Sequence, residues 1–183
     1  AIMIERVVFY VKHKVNAAAI RQKFASLLDK GDYEGAAKFL EKFDSLETNV
    51  VLFGLREYTK GPDSVEDLIA GAEASERLRY EQRLSFLATV GSNAPFIGLF
   101  GTVLGVIKAF GELGADMSAA GGDLMGGISE ALVATGVGLL VAIPAVIAYN
   151  AFTSRVTSVL VSSELLSRSL LAQLKSEEGS QDS

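Results

Sequence analysis

Two stretches of this chain carry no formal charge for 24 residues each, one between Arg83 and Lys108 and one between Glu130 and Arg155. At about 1.5 Å of rise per residue, either run reaches about 36 Å as a helix, enough to cross a hydrocarbon layer of about 30 Å. A backbone inside lipid must satisfy its own polar groups, so unbroken apolar runs of this length cross as helices. The overall composition hides this, because apolar residues make up 49% and mean hydropathy is +0.32. The distribution reveals it: residues 1–83 hold 13 of the 17 basic and 14 of the 22 acidic groups. The expected fold class is therefore all-α, a polytopic membrane protein whose long helices extend into a cytoplasmic helical domain.

Several chemistries lack the residues they need. There is no cysteine, so no disulfide, thiol nucleophile or thiolate metal site. His13 is the only histidine, which removes a His-rich metal centre. A net charge of -5 offers no excess of base for a nucleic-acid backbone. Neither glycine-rich nucleotide motif is present. No cofactor and no enzymatic activity are expected.

The polar half divides into short helices with readable ends. Asn16 is placed to cap a helix over 17–30 that stops at Gly31, with Ile20, Phe24, Leu27 and Leu28 on one face. Asp32 opens another over 33–43, and a third is expected over 46–58. Lys60-Gly-Pro62 marks a loop, after which Asp63 or Ser64 would cap a helix running from about 64 to 110, with Gly71 and the Gly91/Pro95 region as its weak points. The carboxylates here alternate with lysines and arginines as on a solvated face, and His13, between Lys12 and Lys14, reads as a surface residue near the membrane. Residues 1–10 read either as an amphipathic start or as the last turns of an apolar helix begun upstream, the latter being the expectation.

The resulting organisation is 1–10 as the end of a first transmembrane helix, 11–85 as a cytoplasmic helical domain, and 86–110 and 128–152 as transmembrane helices. Residues 111–127 form a periplasmic loop, and 153–183 a cytoplasmic C-terminal helix and tail. Orientation follows from charge. The connection holds Glu112, Asp116 and Asp123 without Lys or Arg, whereas the opposite flanks carry Arg77, Arg79, Arg83, Arg155, Arg168 and Lys175. Lys108 sits near the outer interface, where its stem can snorkel.

Small residues recur every three or four positions in both spans. The first has Gly91, Ala94, Gly98, Gly101, Gly105 and Ala109; the second has Gly127, Ala131, Ala134, Gly138, Ala142 and Ala145. Such stripes permit close helix packing in lipid, with Gly98, Gly101, Gly105, Ala134 and Gly138 as its centre. Two spans bury little alone, so further copies of the chain are expected. Pro95 and Pro144 each remove one helical hydrogen bond, leaving the carbonyls of Gly91 and Leu140, as static kinks or as hinges. Glu130 is either an outer-interface residue or a pore-facing group, since a carboxylate deep in a span costs about 2.5–3.5 kcal/mol. Thr102 and Thr135 lie about 10–12 Å below the outer ends of their spans. Their hydroxyls either bond back to their own helices or face one another or a partner. Glu130 and Thr135 are about 140° apart around the helix.

The block from Gly91 to Phe110, GSNAPFIGLFGTVLGVIKAF, closely resembles the MotA/TolQ/ExbB proton channel family, and the block from Gly127 to Asn150, GISEALVATGVGLLVAIPAVIAYN, is similar to its last span. Met3-Ile-Glu-Arg6 and the aromatic residues after it resemble the end of its first span. The likeness is to the ExbB/TolQ branch more than to the flagellar stators. The resemblance implies a homopentamer around a central pore in the inner membrane of Gram-negative bacteria. It also implies, as partner, a dimer of an ExbD/TolR-like single-span protein with a transmembrane aspartate, a TonB/TolA-like protein beyond it, and surrounding lipid. By the same resemblance Thr102, Glu130 and Thr135 line the ion pathway of a motor driven by the proton motive force, serving biopolymer transport, envelope maintenance or gliding-type motility. A non-conducting oligomeric scaffold and a sodium-driven stator are the alternatives.

Overall fold

The computed structural model of the chain describes residues 1–115 and 120–181. Asp116 and the side chains of Glu112 and Asp123, which set the expected acidic connection, lie outside the described residues. Among the described residues all regular structure is helical: α1 (Ile2–Lys12), α2 (Ala17–Leu28), α3 (Tyr33–Leu40), α4 (Leu46–Arg56), a 3-10 turn (Tyr58–Lys60), α5 (Pro62–Glu81), α6 (Leu84–Ala115) and α7 (Ala120–Gln181). They form two compact units. Residues 1–82 with 153–183 make one, and residues 83–152 make the other.

The first unit is held by a conventional apolar core. Ile20, Phe24 and Leu28 of α2, Ala36 and Leu40 of α3, Leu46, Val50, Val51 and Leu55 of α4, and Val65 and Ile69 of α5 are all buried, with α2 packed on α3, α3 on α4 and α4 on α5. From α7 the unit buries Val156, Val159, Leu166, Leu170 and Leu174, a spacing of three, four and seven that keeps one face of a helix inward. The helix ends follow local chemistry. Asn16 accepts from the Ala19 N–H at 3.2 Å, and Asp32 from Gly35 at 2.8 Å. After α2 the N–H groups of Gly31 and Asp32 bond back to Leu28 and Leu27, a Schellman arrangement that Gly31 permits at φ 65°. Ser45 and Thr48 form a reciprocal capping box at α4.

Four expectations are corrected. The helix after the Lys60-Gly-Pro62 loop starts at Pro62 without a side-chain cap, so neither Asp63 nor Ser64 serves as one. Proline suits the first helical position, where its missing N–H costs nothing. The expected continuous helix over 64–110 is interrupted, though not at its glycines or at Pro95. It passes through all of them and breaks at Gln82 (ψ 131°) and Arg83 (φ 65°). A continuous helix would bond the Tyr80 carbonyl to the N–H of residue 84. Here that carbonyl instead accepts from the Tyr10 hydroxyl at 2.7 Å and Arg6 Nη1 at 3.4 Å. Tyr80 is itself buried, and its hydroxyl accepts from the Leu46 N–H at 3.0 Å, tying α5 to the start of α4.

His13 is also not a surface residue. It is 9% exposed and packs on the Phe9 ring with 4.3 Å between centroids. Its Nδ1 lies 2.7 Å from the Phe9 carbonyl, and its Nε2 lies 3.2 Å from Asp44 Oδ2 and 3.0 Å from Arg79 Nη2. Arg79 grips both oxygens of Asp44 at 3.0 Å each. The guanidinium draws the Asp44 carboxyl down to about 2, with smaller help from Asn49 and His13 against the opposing effect of burial. Finally, not every carboxylate lies on a solvated face: Glu47 is buried in the first turn of α4, and burial pushes its carboxyl above the usual range.

Candidate functional site

The second unit is an antiparallel helical hairpin. It takes α6 up to residue 115 and α7 as far as Phe152. Both helices qualify by length and composition as membrane spans, over Leu84–Gly111 and Met125–Gly179. Only 17% of the most apolar window of each is buried. A core helix of a water-soluble domain would be mostly covered. Here Phe96, Ile97, Leu132 and Leu140 are each about two-thirds exposed or more. Such faces require lipid or another protein against them.

The small residues do face each other. A Cβ added to Gly98 would meet the Ala134 carbonyl and Thr135 Cα at 3.0 Å; one on Gly105 would meet Ala131, and one on Gly127 would meet Ala109. A Cβ on Gly138 would sit 2.7 Å from the Ala94 carbonyl. Ala94, Ala109, Ala131, Ala142 and Ala145 are all buried. The backbones therefore approach as closely as side chains allow, and the order of contacts runs in opposite directions along the two helices. Both helices pass through their prolines without ending.

This packing sorts the polar groups onto two edges. Taking about 100° per residue, Thr102 lies about 40° to one side of Gly98 and Lys108 about 80° to the other. On α7, Thr135 lies about 60° to one side of Gly138 and Glu130 about 80° to the other. In antiparallel helices these senses coincide, so the two threonines share one edge and Lys108 and Glu130 the opposite one. The contacts agree. The Thr135 hydroxyl donates to the Gly98 carbonyl of α6 at 3.2 Å. Lys108 Nζ lies 3.7 Å from Glu130 Oε2. The Thr102 hydroxyl donates to Leu99 of its own helix at 2.6 Å. Ser92 and Asn93 likewise bond back to Ala88 and Thr89.

Of the three residues singled out in the sequence, Thr102 and Thr135 thus fall on one side of the hairpin and Glu130 on the other. Two contact partners of these residues do not follow from the sequence reading. In the sequence Gly98 stands out only as a packing position and Lys108 only as an interfacial anchor. Lys108 had a signal, being the single base between Arg83 and Arg155. Among the described residues, no group of three His, Asp or Glu side chains is arranged to hold a metal.

Residues 42–164, which include both apolar helices as far as the start of the C-terminal segment, match the model of the MotA/TolQ/ExbB proton channel family. The chain belongs to that family. Within it the similarity is to the ExbB/TolQ branch. The Tol-Pal system protein TolQ of Pseudomonas aeruginosa is 37% identical over 148 residues, which cover 75% of this chain and 64% of that protein. The biopolymer transport protein ExbB of Xanthomonas campestris is 39% identical over 107 residues, 58% of this chain and 42% of the relative. A putative ExbB-like protein of Helicobacter pylori reaches 53% over 76 residues, 40% of this chain and 49% of that one. The chain thus spans 64% of the length of the Pseudomonas relative and less than half of the other two.

Proposed function

We propose that the chain is the ring-forming subunit of an inner-membrane motor complex driven by the proton motive force. Copies of the hairpin, five in number, surround a dimer of an ExbD/TolR-like single-span protein whose transmembrane aspartate carries the proton. Residues 11–85 and the C-terminal segment lie in the cytoplasm and 111–127 in the periplasm, on the strength of the basic flanks and the base-free connection. A TonB- or TolA-like protein receives the output. The exposed apolar faces of α6 and α7 support the assembly, since a single hairpin leaves them uncovered.

The observation that carries the ion route is the Thr135 hydroxyl bonded to the Gly98 carbonyl, on the same edge as Thr102. A hydroxyl that donates to a carbonyl keeps its lone pairs free to accept a hydrogen bond from a partner's protonated acid. When the aspartate ionises, a facing hydroxyl turns its single proton from the carbonyl to the carboxylate and stabilises that form, and reprotonation of the aspartate releases it to move. One charge crossing 100 mV supplies about 2.3 kcal/mol, enough for a few protons to drive a mechanical step. Glu130 lies on the opposite edge and farther toward the outer end, so it joins the route only where the ring brings that edge of one hairpin against the threonine edge of the next.

The test is proton flux in liposomes holding the full-length protein and its partner. Wild type should conduct only with the partner present, and T135A and E130A should conduct less. Equal leakiness in all three, with an intact oligomer, would leave a scaffold. Unchanged flux on replacing sodium by potassium at fixed pH is expected for a proton-driven device.

A further inference from the structure

Within the first unit, the C-terminal part of α7 has a different surface on each flank. On the α5 side, Glu66, Ile69 and Glu73 of α5 and Glu164, Ser167 and Leu171 of α7 line a groove of about 610 Å³. Two of its carboxylates are matched inside the chain: Lys175 Nζ lies 3.2 Å from Glu66 Oε2, and Arg168 Nη2 lies 2.7 Å from Glu164 Oε1. The Glu73 carboxylate has no ion pair or hydrogen bond among the described residues, and Arg77 on the same helix is engaged by Glu81 at 2.8 Å. Burial and the repulsion of Glu164 push the Glu73 carboxyl above its usual range. Ser167 adds a second unmet demand. It is 5% exposed, and its hydroxyl has no hydrogen-bond partner among the described residues. A groove with apolar walls, an unpaired carboxylate and an unsatisfied hydroxyl is completed by a cationic, donor-rich side chain from outside the chain.

The other flank of α7 carries such a group. There Ser162 and Leu166 stand beside Ala17, Ala18 and Arg21 of α2, and the Arg21 guanidinium has no acidic partner among the described residues. Resting on the proposed ring of copies, we propose that Arg21 of one copy enters the α5–α7 groove of the next and pairs there with Glu73, forming the cytoplasmic contact of the ring. A closed ring needs two different patches of one chain that fit each other, placed on opposite sides. Taking about 100° per residue, Glu164 lies about 180° around α7 from the midpoint of Ser162 and Leu166. Rotation about a ring axis carries a surface sideways and leaves its height unchanged, so the two patches must also be level. Glu164 falls midway between Ser162 and Leu166 along α7, which puts the unpaired base and the unpaired acid at the same height. Ala17 and Ala18 keep the α2 edge low enough for a long side chain beside them to reach across. A guanidinium, with five donors in a planar fork, can serve the carboxylate and the Ser167 hydroxyl together. Charge matching of this kind fixes register and the direction of the ring more than its strength.

The experiment reads thiol cross-linking and native mass on the same samples of the full-length protein in detergent. A18C/A70C places one thiol on each flank, since Ala70 also lines the acidic groove. Mild oxidation should give a ladder of linked chains, whereas A18C or A70C alone should give none. R21E or E73K in this background should reduce the ladder several-fold, and R21E/E73K, which exchanges the charges, should restore it. R21Q and E73Q, which remove charge without reversing it, should lower it too, so the outcome does not hang on a variant that fails to fold. A ring of wild-type mass without a ladder in A18C/A70C would overturn the inference and leave the ring standing. So would a ladder that R21E and E73K leave unchanged. Capture of the single-span partner, and of no second copy, by a photocrosslinker attached at A70C would assign the groove to that partner and overturn it as well. Failure of the ring itself reads differently: the wild-type protein would then have the mass of one chain.

Discussion

At the residue scale, the informative groups are those whose partners come from distant parts of the chain. Asp44 sits in the connection between α3 and α4, Arg79 near the end of α5, and His13 just after α1, yet they share one cluster. Because Arg79 holds the folded-state carboxyl of Asp44 near 2, below its ordinary 3.8, the folded form binds fewer protons than the unfolded chain in that window. Its stabilising contribution is present above the unfolded value and is lost as pH falls through about 2. Acid unfolding followed in detergent should therefore show a component between these values that is absent in D44N. It will be small, since the carboxylate is 62% exposed and screened by water. Arg83 gives a second prediction. Its φ of 65° is hostile to branched side chains, so R83V should lower stability by about 1–2 kcal/mol while R83N, tolerant of this conformation, costs less. Thermal unfolding of the two variants compares them directly.

At the element scale, α7 serves different ends along its length. In the hairpin α7 presents alanine and glycine to α6. Beyond Phe152 it presents valine and leucine to the helices of the first unit. The glycines of the hairpin are therefore unequal. A Cβ at Gly138 would strike the Ala94 carbonyl, whereas one at Gly136 meets nothing within 4 Å. G138V should cost about 1–3 kcal/mol by forcing the helices apart. G136A should be neutral or stabilising by up to about 1 kcal/mol, since alanine is the better helix former. Melting temperatures in detergent discriminate the two, and a G138V protein as stable as wild type would refute the packing account. Gly71, Gly91 and Pro95 were expected to weaken the long helix, but tertiary contacts moved the break to Gln82–Arg83. The Tyr10 hydroxyl offered the Tyr80 carbonyl a partner that no nearby residue in the sequence announces.

At the scale of the whole molecule, the family and the exposed apolar faces support an assembly of copies, and native mass spectrometry of the full-length protein should find five. The 183 residues contain no cysteine, which makes topology equally measurable by single thiols introduced among them. Cysteine at Ser129 should react with an impermeant thiol reagent in whole spheroplasts, and cysteine at Ser176 only after permeabilisation. The reverse pattern would invert the proposed orientation.

Much of this was legible in the order of residues because it depends on near neighbours. An uncharged run of 24 residues demands a helix in lipid wherever its partners lie. Asn16, Asp32 and Gly31 act on backbone groups within a few positions. The stripe of small residues follows from a period of 3.6, and so does the angle separating Glu130 from Thr135. What only the tertiary structure decided concerns pairs far apart in the chain: His13 with Arg79, Tyr10 with Tyr80, Thr135 with Gly98, and Lys108 with Glu130. A helical period says which face a residue occupies, but not what is brought against that face. That choice is made by packing, where burial of apolar surface and close backbone approach set the register and polar partners are whatever the register brings into reach.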